Sequence, residues 1–155
     1  MENRQILVAN AVLINEVKKS LNAGHSAKIR VKGHSMRLFL KNDRDSVLLS
    51  PISPEQLKLY DVVLAEVAPS FWVLHRIIHI AGDNLSLMGD GNVGIVEHCT
   101  RQQVIGKVTA FYRKGRLTPE SVEDLKWKIY SRIWLLVAPL RRYILGVVRR
   151  LPFDI

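Results

Sequence analysis

The sequence predicts an α+β protein in which a mostly antiparallel, coiled β-sheet lies between an N-terminal helix and a basic amphipathic C-terminal helical segment. Three patterns carry this expectation. Six short strand-like runs are separated by turns in the middle of the chain, an apolar pattern of helical period precedes them, and a second one follows them. At 155 residues the chain suits one domain, divided by its patterning into a region 1–117 with the leading helix and a helical extension 118–155.

From Gln5 to Leu21, Ile6, Leu13, Val17 and Leu21 recur near one helical face, and Asn22-Ala23-Gly24 supplies a stop. Ala27 to Lys32 then alternates, with Ile29 and Val31 on one side, until Gly33 turns the chain into Ser35. Polar Lys41 to Asp45 reads as a turn. Ser46–Ser50, Asp61–Val67, Phe71–Ile80, Asn84–Met88 and Val104–Arg113 read as further strands. Pro51 and Pro54 interrupt one connection, and Ala81-Gly82-Asp83-Asn84 closes a hairpin. Thr118-Pro119-Glu120 combines a capping residue, a proline at the first helical position and an acid in the first turn, so a helix is expected to begin there. Its apolar positions Ile129, Ile133, Leu136, Val137 and Leu140 continue through Ile144, Val147, Val148 and Leu151, and Pro139 should kink or divide it.

The net charge of +9 is concentrated rather than spread. Between Leu125 and Leu151 stand Lys126, Lys128, Arg132, Arg141, Arg142, Arg149 and Arg150, with no Asp or Glu among them. A helix of that composition can lie on an anionic membrane surface, with Trp127, Tyr130, Trp134 and Tyr143 suited to interfacial depth. The same stretch also suits a helix packed on the sheet or dimerising through its aliphatic stripe. Nothing near the N-terminus resembles a secretory signal, and no run approaches the ~20 apolar residues of a spanning helix, so a cytoplasmic or peripherally membrane-associated protein is expected. Cys99 is the single cysteine, and the five histidines lack zinc-ligand spacing, so neither a metal nor another cofactor is expected.

Gly33-His34-Ser35-Met36 and Leu74-His75-Arg76-Ile77 carry the candidate chemistry. A serine hydroxyl attacks at neutral pH only when a neighbour removes its proton, and histidine suits that task. Gly33 would allow Ser35 to present its hydroxyl beside its own amide, although a serine after a glycine turn more often caps a short helix. His75 sits among Val73, Leu74, Ile77 and Ile78, where partial desolvation favours a neutral, base-competent imidazole; a core histidine bonded to a carbonyl is the plainer alternative. His79, four residues on, shares its face in a regular strand and is a second candidate base. Asp90, within Met88-Gly89-Asp90-Gly91-Asn92, could orient a histidine or simply form a turn, and Glu97 is the other candidate acid.

In chain order, Gly-x-Ser-Met, Asp-Val-Val-Leu, His-Arg-Ile, Gly-Asp-x-Asn and Val-Ile-Gly-Lys-Val resemble the signal peptidase I and LexA-like serine peptidases over about Lys28 to Arg113. The resemblance implies a coiled sheet of that family's type and a serine endopeptidase with Ser35 as nucleophile. Histidine at the position of the base, where bacterial signal peptidases and LexA-like proteins have lysine, aligns it with the archaeal and endoplasmic-reticulum signal peptidases. By that resemblance His75 is the base, Asp90 matches the aspartate of Gly-Asp-x-Asn, and Glu97 approximates a second acid. It also implies a peptide or protein substrate added as a strand beside the serine, with small side chains before the cut. Leu38 stands where the family has proline.

Two other functions fit parts of the sequence. A LexA-like regulator would cut itself at a bond such as Ala23-Gly24, though this lies close before Ser35 and doubles as a helix stop. A non-catalytic module could use the positive charge on nucleic acid, but no stacking platform of aromatic residues is evident, and nucleic acid is not the expected partner.

Overall fold

Alternating apolar residues along the central strands build core on both faces of one sheet. The computed structural model describes residues 2–33, 36, 40 and 44–151. Helix α1 (Glu2–Asn22) leads into β1 (Ala27–Arg30), β2 (Ser46–Ser50), β3 (Val62–Ala68), β4 (Phe71–Ala81), β5 (Asn84–Met88), β6 (Glu97–Thr100), β7 (Val104–Tyr112) and β8 (Glu120–Ser121). The strands lie in the order β1-β2-β7-β3-β4-β5-β6, with β8 added to β7, and every pairing is antiparallel. The expected α+β class and antiparallel sheet are therefore present.

On one face Val47, Leu49, Val62, Leu64, Val108 and Phe111 form a core with Ile14, Val17 and Leu21 of α1. On the other, Val63, Ala65, Val73, Ile77, Leu85, Leu87 and Cys99 enclose a second core with Leu57. Of the expected face of α1, the Ile6 side chain lies outside the described ones, and Leu13 is replaced by Ile14. Ile14, Val17 and Leu21 point inward while Leu13 is exposed, because the contacts to β7 select the 14–17–21 stripe. The approach is close: a Cβ on Gly106 of β7 would lie 2.7 Å from Leu21 Cδ1, so any larger residue at the glycine of Val-Ile-Gly-Lys-Val would force the Leu21 side chain to shift. α1 ends in a Schellman motif, with Gly24 at φ +82° and N–H groups of Gly24 and His25 donating to the carbonyls of Leu21 and Ser20.

The helix expected at Thr118 begins later. Glu120 and Ser121 instead pair with Phe111 and Ala110 of β7, and the Glu120 carboxylate is held by Arg116 and Arg113. Asp124, whose carboxylate accepts the Ser121 N–H, precedes α2 (Leu125–Leu136). A single turn, Ala138–Leu140, then separates α2 from α3 (Arg141–Arg150), so Pro139 divides the segment. Three of its four aromatic residues turn toward the sheet, as the alternative of a helix packed on the sheet implies. Trp127 and Trp134 are buried and Tyr130 half-buried, because Trp127 packs at a tilt on Phe111 and stacks on Tyr130, and Tyr130 stacks on Trp134, against the sheet; Tyr143 alone of the four is exposed. Among the described residues no helix is long and apolar enough to cross a membrane.

Candidate active site

β4 carries the site because its side chains alternate between the two cores. His75 lies opposite Val63 of β3 and shares that residue's face; Arg76 lies opposite Val62 and takes the other face. The alternation fails two residues later. A bulge between Ile77 and His79 brings Ile77 against Leu87 and His79 against Ser86, successive residues on opposite faces of β5. His79 therefore leaves the face of His75, contrary to the expectation from regular strand spacing, and is exposed.

His75 is 3 % exposed, and its Nδ1 lies 2.9 Å from Glu97 Oε2 at the start of β6. With the proton on Nδ1 donated to the carboxylate, the neutral ring leaves Nε2 as its basic nitrogen. Burial lowers the imidazole pKa from its ordinary 6.5, opposed by the charge and hydrogen bond of Glu97 and then by the charge of Asp90. At neutral pH the ring is uncharged and oriented, the condition a general base requires.

Asp90, expected to orient His75, is engaged elsewhere. Its carboxylate forms a two-point pair with Arg76, Nε to Oδ1 at 2.8 Å and Nη2 to Oδ2 at 2.5 Å, and both side chains are buried. The reason is the pleat: consecutive residues of β4 face apart, so the acid that meets Arg76 is drawn to the face opposite His75. Arg76 also donates to Ser131 Oγ at 2.6 Å and to the carbonyl of Tyr60 at 3.3 Å, and its guanidinium lies 4.6 Å from the Trp127 ring centre. Tyr60 reaches this position at φ +78°, a left-handed conformation unusual for a bulky residue. Trp134 Nε1 donates to the Asp90 carbonyl at 3.1 Å, and burial raises the Tyr130 phenol, so it remains protonated 3.5 Å from Asp90 Oδ2. Sequence reasoning missed this cluster, although Trp127, Tyr130, Ser131 and Trp134 share a helical face.

Asp90 also reaches the segment that contains the candidate nucleophile. Its backbone N–H points to Met36 Sδ at 3.5 Å, and Met36 is buried in the first core. The Met36 carbonyl accepts the Leu40 N–H at 3.0 Å, while Gly33 adopts φ +89°. At the base of this connection the Val31 N–H donates to the Asp45 carbonyl at 2.9 Å, and the buried Asp45 carboxylate takes two hydrogen bonds from Arg44. Ser35 and Leu38 lie outside the described residues.

Of the described strands, β1 pairs only with β2 and forms one end of the sheet. Beside it is a cavity of ≈170 Å³ lined by Ile29, Val31, Leu64, Trp72 and Leu74 together with Arg30 and Lys32. Among the described residues no group of three His, Cys, Asp or Glu side chains could hold a metal ion.

In comparisons with known proteins no family model matches the chain, and no curated protein matches it.

Proposed function

We propose that the protein is a serine endopeptidase of the signal-peptidase-like kind, with Ser35 as nucleophile, His75 as general base and Glu97 as the acid that orients His75. The contact between His75 Nδ1 and Glu97 carries this reading: a buried, neutral histidine held through one nitrogen by a carboxylate is equipped to accept a proton at the other. The order of motifs around Ser35 supports the choice of nucleophile.

In this mechanism Ser35 Oγ attacks the scissile carbonyl carbon as its proton passes to Nε2 of His75. Collapse of the tetrahedral intermediate breaks the C–N bond, and His75 returns the proton to the departing amine. Water then attacks the acyl ester by the same proton relay and regenerates the serine. Asp90 holds Arg76 and meets Met36, the residue after Ser35, so its role is to fix the nucleophile segment rather than the imidazole. An extended peptide would pair with the edge of β1 that no described strand occupies, its apolar side chains turned into the cavity beside Ile29 and Leu74.

Self-cleavage at Ala23-Gly24 is the weaker reading. The N–H groups of Ala23, Gly24 and His25 are bound to carbonyls of α1, so this bond is coiled into a helix cap and not offered as a strand.

A fluorophosphonate probe tests the proposal on the intact protein. Covalent labelling of Ser35, abolished by Ser35→Ala and reduced about 10²- to 10⁴-fold in rate by His75→Ala, is expected. Undiminished peptide cleavage by a folded Ser35→Ala variant would overturn it.

A further inference from the structure

The two C-terminal helices bear two stripes that meet different surroundings. Trp127, Ser131, Trp134, Arg141 and Leu145 are buried. A second stripe, Ile129, Ile133, Leu136, Leu140, Tyr143 and Val147, keeps steps of three and four residues through the break at Pro139, and all six side chains are exposed, Leu136 at 80 %. An outward face of a helix is normally polar, and this one is aliphatic at every position but Tyr143. Leu59 extends it, since it is exposed and lines an open cleft with Ile78, Leu135 and Leu136.

The charge beside the stripe has one sign. No Asp or Glu occurs between Leu125 and Leu151, and the exposed neighbours Lys126, Lys128, Arg132, Arg142 and Arg150 are all cationic. Lys128 is paired with Glu123, just before α2, while Arg142 lies over the Tyr143 ring. We propose that this stripe seats α2 and α3 on the surface of an anionic lipid bilayer, the aliphatic side chains entering the acyl boundary and the cations meeting headgroup phosphates. A second copy of the chain docked through the same face would set the same cations against one another, whereas anionic headgroups offset them. The inward placement of Trp127 and Trp134 gives the immersed layer to the aliphatic residues and Tyr143. Such seating does not depend on peptidase activity.

Flotation of the full-length protein with vesicles tests it. Binding to phosphatidylglycerol-containing vesicles is expected, weaker binding to phosphatidylcholine alone, and a loss as salt is raised. The triple substitution Ile133→Ser, Leu136→Ser and Leu140→Ser, at exposed positions, should leave the urea midpoint unchanged and weaken partitioning roughly tenfold or more. Arg132→Gln with Arg142→Gln and Arg150→Gln should remove the preference for anionic vesicles. Ser35→Ala should float like the parent, so a failed peptidase assignment would not disturb this result. No recovery of the parent protein with anionic vesicles, or equal recovery of the triple serine variant, would overturn the proposal. So would a concentration-dependent dimer in sedimentation that the serine substitutions abolish without any vesicle binding, or salt-sensitive capture by an acidic polypeptide but not by vesicles.

Discussion

His75 and Arg76, neighbours on β4, engage two different carboxylates on opposite faces of the sheet: His75 meets Glu97 at 2.9 Å, and Arg76 meets Asp90 at 2.5 Å. The pleat of one strand thus separates a partly accessible pair, with the Glu97 side chain 20 % exposed, from a pair excluded from water.

Removing only the charge of Glu97 should expose its part. Glu97→Gln keeps nearly the same shape but can offer its amide to Nδ1 and favour the wrong tautomer. Peptidase turnover should fall about 10²- to 10⁴-fold with the urea midpoint little changed. Asp90→Asn assayed beside it should lose stability as well as activity. Turnover by Glu97→Gln equal to the parent would remove Glu97 from the mechanism.

The acid limb of kcat/KM against pH should have its midpoint below 6.5, because burial depresses the His75 pKa from that value. Activity then rises with pH through that midpoint and is flat at neutrality. Since Glu97 opposes the depression, Glu97→Gln should move the limb to still lower pH. The unfolded chain binds the proton more readily than the folded one, so stability should fall as pH drops through the window beneath 6.5. A limb centred above 6.5 would show that another group controls the rate.

The buried ion pair should behave as a unit. Arg76→Met or Asp90→Leu alone leaves one uncompensated charge in the core, at a cost of about 3–5 kcal/mol in urea denaturation. The combined variant should recover at least half of that loss by replacing both charges with apolar volume. Strictly additive losses would indicate that the two groups are not coupled.

Much of the fold is legible in the residues, as the strand runs at Ser46–Ser50 and Asn84–Met88 show by matching the observed β2 and β5. Hairpin chemistry at Gly82-Asp83 and the stop at Gly24 are equally local, and both take the positive φ their glycines allow. β6 was invisible because Glu97-His98-Cys99-Thr100 is short and polar and owes its strand geometry to pairing with β5. With that strand unsignalled, Glu97 has no fixed direction in the sequence, and the motif resemblance assigns the orienting role to Asp90 while leaving Glu97 as the other candidate. The false helix start at Thr118 has the opposite cause: strong capping chemistry was overridden by the ladder to β7. His79 was misplaced by one bulged residue, a feature with no side-chain signature here.

The setting of Arg76 has an implication for biosynthesis. Its contacts come from positions as distant in the chain as Tyr60, Asp90 and Ser131. While the ribosome still holds the region of Ser131, the guanidinium can find its carboxylate but not its hydroxyl acceptor or the indole of Trp127 above it. Final setting of the ion pair therefore waits until α2 has been made and has left the ribosome.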